Sequence, residues 1–124
     1  MRPIKQSENV VESEIIGWLR VEGWIVRRQH VGLFMTLTGH RIKLGDIGEC
    51  DWRAFRSLPG PGCATYLEIE IKATGEEPTD VQREYMVKRK RQGIACIWAD
   101  SLAMFLEKYQ LLFGEEQKWR SPSK

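Results

Sequence analysis

The spacing of apolar positions changes several times along the chain, and each change marks an element. Val11, Ile15, Trp18 and Leu19 recur at helical spacing and make one apolar face. With Ser7 as N-cap they predict a helix running to about Glu22, ended by Gly23. Trp24 to Arg28 then reads as a short strand, and Val31 to Leu44 as one or two strands broken at Thr38-Gly39. After the tight segment Gly45-Asp46-Ile47-Gly48 come two strand-like runs, Glu49 to Arg56 and Thr65 to Ala73. The intervening SLPGPGCA is a strong turn signal, so these runs predict a β-hairpin with a long tip.

Thr79-Asp80-Val81-Gln82 carries the T-x-x-Q pattern of a capping box and opens a helix to about Gln92, where Gly93 stops it. Ile94 to Ala99 is a short apolar strand. Asp100 or Ser101 caps a last helix through Leu112, and the remaining tail is polar and reads as loose. In condensed form the order is α-β-β-β-α-β-α. The hairpin supplies antiparallel pairing, and the later strand–helix–strand unit suits a parallel crossover. The expected fold is α/β, with a mixed central sheet flanked by helices. It forms a single domain over residues 1–113, followed by a tail over 114–124.

Composition changes this picture little. Of 124 residues, 42% are hydrophobic and 29% charged, enough for a core and ordinary for a globular chain. No apolar run approaches the roughly 20 residues of a membrane span. The stretch MRPIKQSENVVE lacks the apolar segment of a signal peptide, so a cytoplasmic location is expected. Cys50, Cys63 and Cys96 are scattered and form no CxxC pair, which argues for reduced, partly buried thiols over a structural zinc site. The net charge of +2 is uninformative. Its distribution is less so: Arg27, Arg28, His30, His40, Arg41 and Lys43 cluster, and Lys88 to Arg91 is a basic run.

Candidate chemistry lies in the hairpin. Along Tyr66 to Lys72, Leu67, Ile69 and Ile71 point to one face and Glu68, Glu70 and Lys72 to the other. Alone, that is the pattern of a strand with one solvated face. Folding the hairpin symmetrically about its PGPG tip sets Asp51 opposite Glu70 and Glu49 opposite Lys72. Opposed residues have Cβ atoms about 4.5–5.5 Å apart, where like charges destabilise a sheet. A hard cation such as Mg²⁺ or Mn²⁺ removes that conflict. A metal on two carboxylates beside a lysine suits phosphodiester hydrolysis.

These motifs resemble the PD-(D/E)xK nuclease superfamily, and within it the VRR-NUC branch related to Holliday junction resolvases of phages and bacteria. The residues that carry the resemblance are Glu8 or Glu12, RRQHVG (27–32), Arg41, GDIGECD (45–51), IEIK (69–72), TDVQ (79–82) and Gly93. The resemblance implies a restriction-endonuclease-like fold and an endonuclease acting on DNA, with branched, flapped or four-way structures as candidate substrates and Mg²⁺ or Mn²⁺ as cofactor. A homodimer is plausible on the same ground. Asp51 and Glu70 match the metal carboxylates, Lys72 the catalytic lysine, and the Ile71 carbonyl a further ligand. Gln82 matches a glutamine of the following helix, alongside its capping role. Either Glu8 or Glu12 would complete the site, Glu12 being the preferred one, although helix-dipole stabilisation also suits both. Arg28, His30 and Arg41 match substrate contacts. The chain departs from the pattern at Cys50, where relatives carry Pro or a small residue, and in its long hairpin tip. Two other readings stand beside this one: a catalytically inactive nucleic-acid-binding module on the same fold, and an interaction protein using its tryptophans.

Overall fold

A computed structural model describes residues 4–29, 32–35, 37–44, 48–57 and 64–120, with the side chains of 32–35, 41–44 and 115–120 outside the description. Its elements are α1 (Glu8–Val21), β1 (Ile25–Arg28), β2 (Gly32–Met35), β3 (Arg41–Leu44), β4 (Trp52–Ser57), β5 (Ala64–Ile71), α2 (Asp80–Arg91), β6 (Ala95–Ala99) and α3 (Leu102–Arg120). A four-stranded sheet in the order β1-β4-β5-β6 forms the centre, and β2 and β3 form a separate two-stranded sheet. The first two contacts, β1 with β4 and β4 with β5, are antiparallel, and β5 with β6 is parallel. The fold is thus α/β with a mixed sheet and flanking helices. The expected α-β-β-β-α-β-α order describes the central sheet and its helices. The β2–β3 hairpin is inserted between the first two of those strands, so five strands precede α2.

Alternation along β5 explains how the layers assemble. Leu67, Ile69 and Ile71 are fully buried with Ile97 and Ala99 of β6. They pack against the apolar stripe of α1 (Val11, Ile15, Ile16, Leu19) and against Phe105, Tyr109 and Phe113 of α3. Trp24 donates from its indole nitrogen to the Tyr109 hydroxyl (3.2 Å), which satisfies both polar tips inside this cluster. Helix α2 covers the opposite face, where Met86 joins Cys50 and Cys96, flanked by Tyr85 and Trp98.

The β4–β5 register pairs Trp52 with Ile69, Arg53 with Glu68 and Ala54 with Leu67. This is the symmetric register the turn chemistry predicts. The last helix runs to Arg120, beyond Leu112. The segment Glu115–Arg120 contains only good or neutral helix formers, and the single Gly114 does not stop it. Among the described residues no helix is long and apolar enough to cross a membrane.

Candidate metal centre

The site lies where β4 begins and β5 ends, under the first turns of α1 and α2. Asp51 immediately precedes β4, and its carbonyl accepts a hydrogen bond from the Gln29 backbone N–H (2.6 Å), which ties it to the end of β1. The loop leading to it is held by Gly48. Its φ of +86° is open to glycine, and a Cβ there would stand 2.6 Å from the Val81 carbonyl oxygen of α2. The backbone delivering Asp51 therefore rests directly on the α2 first turn. Glu49 accepts a hydrogen bond from the Gln29 side chain (3.0 Å).

Glu70 is the buried member of the pair, at 2% exposure. Its Oε2 accepts from Gln82 Nε2 (3.1 Å) and is paired with Lys72 Nζ (3.5 Å). Its Oε1 is buried with no hydrogen-bond partner among the described residues. The Asp51 carboxyl group stands against Glu70, and two ionised carboxylates offer each other no proton. Burial, and then the charge of Asp51, push the Glu70 carboxyl up to about 8 despite the opposing pull of Lys72. Burial also raises Asp51 above the ordinary aspartate value, against the pull of Arg28 and Lys72. Such a pair holds a proton or a cation more readily than it holds two bare charges.

Gln82 performs both tasks its sequence position suggests. Its amide oxygen accepts from the Thr79 backbone N–H (2.9 Å), and its own backbone N–H donates to Thr79 Oγ1 (3.2 Å), completing the capping box. Because the oxygen is committed to a donor, the amide nitrogen must face Glu70. The box therefore fixes the orientation of a contact to the candidate metal carboxylate. Lys72, just past β5, is anchored by its backbone N–H to the Ala99 carbonyl (3.0 Å). Ile71, the last residue of β5, has its side chain in the core.

The two candidate acidic residues of α1, Glu8 and Glu12, are placed differently. Glu12 accepts from Trp52 Nε1 (2.9 Å) and pairs with Arg28 (3.1 Å), so it clamps α1 to β1 and β4. Glu8 has no hydrogen-bond or ion-pair partner among the described residues. Partial desolvation and the charge of Asp51 raise its carboxyl above the ordinary value. Arg28 is half-exposed, and its guanidinium also lies over the Trp52 ring (5.5 Å). His30 lies outside the described residues. Arg41 begins β3, and its side chain also lies outside the description.

One buried group escaped the sequence reading. Glu68, on the same strand face as Glu70, is 0% exposed rather than solvated. It accepts from the Tyr66 hydroxyl (2.5 Å) and the Tyr85 hydroxyl (3.0 Å) and pairs with Arg89 (3.4 Å). Arg89, taken from the basic run of α2, also donates to Tyr85 (2.8 Å). The available signal was the i, i+4 spacing of Tyr85 and Arg89, which sets both on one helix face.

Comparison with protein-family models, with curated proteins and with solved structures yields no match.

Proposed function

We propose that the chain is a divalent-metal-dependent DNA endonuclease of the VRR-NUC type, on a restriction-endonuclease-like fold. The observation that carries this reading is the orphaned Glu70 Oε1, buried against the Asp51 carboxylate beside Lys72. Uncompensated buried carboxylates are unfavourable in a protein interior. An all-oxygen donor set of this kind suits a hard cation, Mg²⁺ or Mn²⁺.

Asp51 and Glu70 would hold the ion, with the Ile71 carbonyl as a further ligand. Glu8, which unlike Glu12 has no competing partner among the described residues, would complete the set in preference to Glu12. When bound, the ion supplies an activated water and stabilises developing negative charge on the phosphodiester. Lys72, released from its ion pair with Glu70, would orient the attacking water or neutralise charge at the scissile phosphate. Gln82 would keep the Glu70 carboxylate aimed at the ion. Arg28, with His30 and Arg41, would contact the DNA backbone, for which guanidinium geometry is well suited. Branched, flapped or four-way DNA, a homodimer with two sites, and a cytoplasmic location in a bacterial or phage-infected cell belong to the same reading.

A crystal soaked in Mn²⁺ tests the centre itself. Anomalous density between Asp51 and Glu70 is expected, and its absence at millimolar Mn²⁺ would remove the basis for the nuclease assignment. Metal-independent, salt-sensitive DNA binding with no cleavage would point instead to an inactive binding module.

A further inference from the structure

On the same sheet face as the all-oxygen centre, the chain assembles a second set of ligating atoms of different chemistry. Cys50 Sγ, Cys96 Sγ and a Glu68 carboxylate oxygen lie within 4.8 Å of one another, and all three residues are buried. They come from three places: the loop ahead of β4, the middle of β5, and β6, where Cys96 is the register partner of Glu68. Their separation in sequence is why no short ligand spacing announces them. The Cys96 thiol points at Glu68 Oε1 (3.9 Å), and both cysteines are free.

We propose that Cys50, Cys96 and Glu68 form a binding site for a thiophilic divalent cation of the Zn²⁺ class. The site is distinct from the all-oxygen centre and joined to it by the Cys50–Asp51 peptide bond. Thiolate donors select Zn²⁺ and its analogues over Mg²⁺. With Zn–S bonds of about 2.3 Å and Zn–O bonds of about 2.0–2.2 Å, ligand atoms on one tetrahedral ion stand roughly 3.6–3.8 Å apart. The cluster, whose ligand atoms lie within 4.8 Å of one another, would contract to that size on binding. A water would take the fourth position.

Charge balance favours the exchange. Without metal, two neutral thiols sit beside a Glu68–Arg89 ion pair. On binding, each thiol releases a proton, the two thiolates cancel the charge of the cation, and the Glu68–Arg89 pair stays balanced. Exchanging two protons for one dication adds no net charge to this cluster. Tyr66, Tyr85 and Arg89 already orient the Glu68 carboxylate, as outer partners do in metal sites. Cys96 also lines a cavity of about 460 Å³ between α2 and α3, bordered by Met86 and Trp98.

The test is a titration of the reduced, metal-stripped full chain with Co²⁺, read by absorption. Thiolate-to-cobalt charge transfer and tetrahedral d–d bands that saturate at one equivalent and vanish on adding Zn²⁺ are the expected result. Asp51→Asn should leave these bands unchanged, because oxygen ligands give no such charge transfer. Cys50→Ser and Cys96→Ser should each weaken binding by at least about tenfold, whereas Cys63→Ser should not. Absence of the charge-transfer band in the wild type, or its full retention in both Cys50→Ser and Cys96→Ser, overturns the proposal. If the serine variants fail to fold, thiol alkylation of the wild type decides. Zn²⁺, but not Mg²⁺, should slow modification of Cys50 and Cys96 at least tenfold, and equal rates with and without Zn²⁺ overturn the proposal.

Discussion

Glu70→Gln should stabilise the metal-free protein while abolishing its response to Mg²⁺ or Mn²⁺. The carboxyl titrates near 8 against an ordinary 4.5, because it is buried and faces Asp51. At pH 7 the folded carboxyl is therefore mostly protonated, and the proton it takes up works against folding by at most about 3–4 kcal/mol, at about 1.4 kcal/mol for each pH unit above 4.5. The glutamine oxygen can take the place of Oε2 and still accept from Gln82 and Lys72. Its NH₂ then occupies the place of the orphaned Oε1 and donates to Asp51. Set against the loss of charge attraction to Lys72, a net gain of about 1–2 kcal/mol is expected, or roughly 3–8 °C in Tm for a domain of this size. The pH dependence follows from the sign of the shift. A folded-state value raised above the unfolded one means that wild-type stability falls as pH rises from about 4.5 through about 8. The advantage of Glu70→Gln should thus be small at pH 5 and largest at pH 8. Thermal unfolding by circular dichroism in EDTA, then with Mn²⁺, reads all of this. A variant less stable than wild type at pH 8 in EDTA, or a difference that ignores pH, would refute the reasoning.

Gln82→Leu removes the side-chain half of the capping box and a bond to Glu70 together; a stability loss of about 1–2 kcal/mol by urea denaturation and weaker Mn²⁺ binding by calorimetry are expected. Arg89→Met leaves Glu68 buried beside two tyrosines without its cation, and should destabilise by about 3–5 kcal/mol in the same denaturation assay, with most of the loss recovered on adding Glu68→Gln. Gly48→Ala forces a Cβ onto the Val81 carbonyl at a φ of +86°; a loss of about 2–4 kcal/mol is expected, together with weakened Mn²⁺ binding, because the displaced loop carries Asp51.

The parts of the molecule governed by local rules could be read from the sequence. The α1 stripe, the Thr79–Gln82 box and the β4–β5 register each follow from residues close in the chain or from a turn with strong chemistry. That register brings Asp51 to Glu70, so the candidate centre was legible as far as its first pair. Depth of burial was not. Glu68 and Glu70 alternate with isoleucines as a solvated face would, and only the position of α2 over the sheet turns that face into an interior. For the same reason the basic run of α2 could not show that Arg89 alone of Lys88–Arg91 turns inward to Glu68. The approach of Cys50 to Cys96 is likewise a product of strand order. Glu8 and Glu12 share a helix face, and what separates them is the Trp52 indole, a tertiary contact that helical periodicity does not contain.

The central claim, that Asp51, Glu70 and Lys72 cut DNA around a divalent metal, is tested most directly by cleavage of supercoiled, flapped and four-way DNA in Mg²⁺ and in Mn²⁺. Wild type should cleave at least one of these only with metal present. Lys72→Ala should still bind Mn²⁺ and yet cleave at least about 100-fold more slowly, as loss of a group acting on the transition state does. A wild type inert on every substrate with both metals, or a Lys72→Ala that cuts at the wild-type rate, would contradict it.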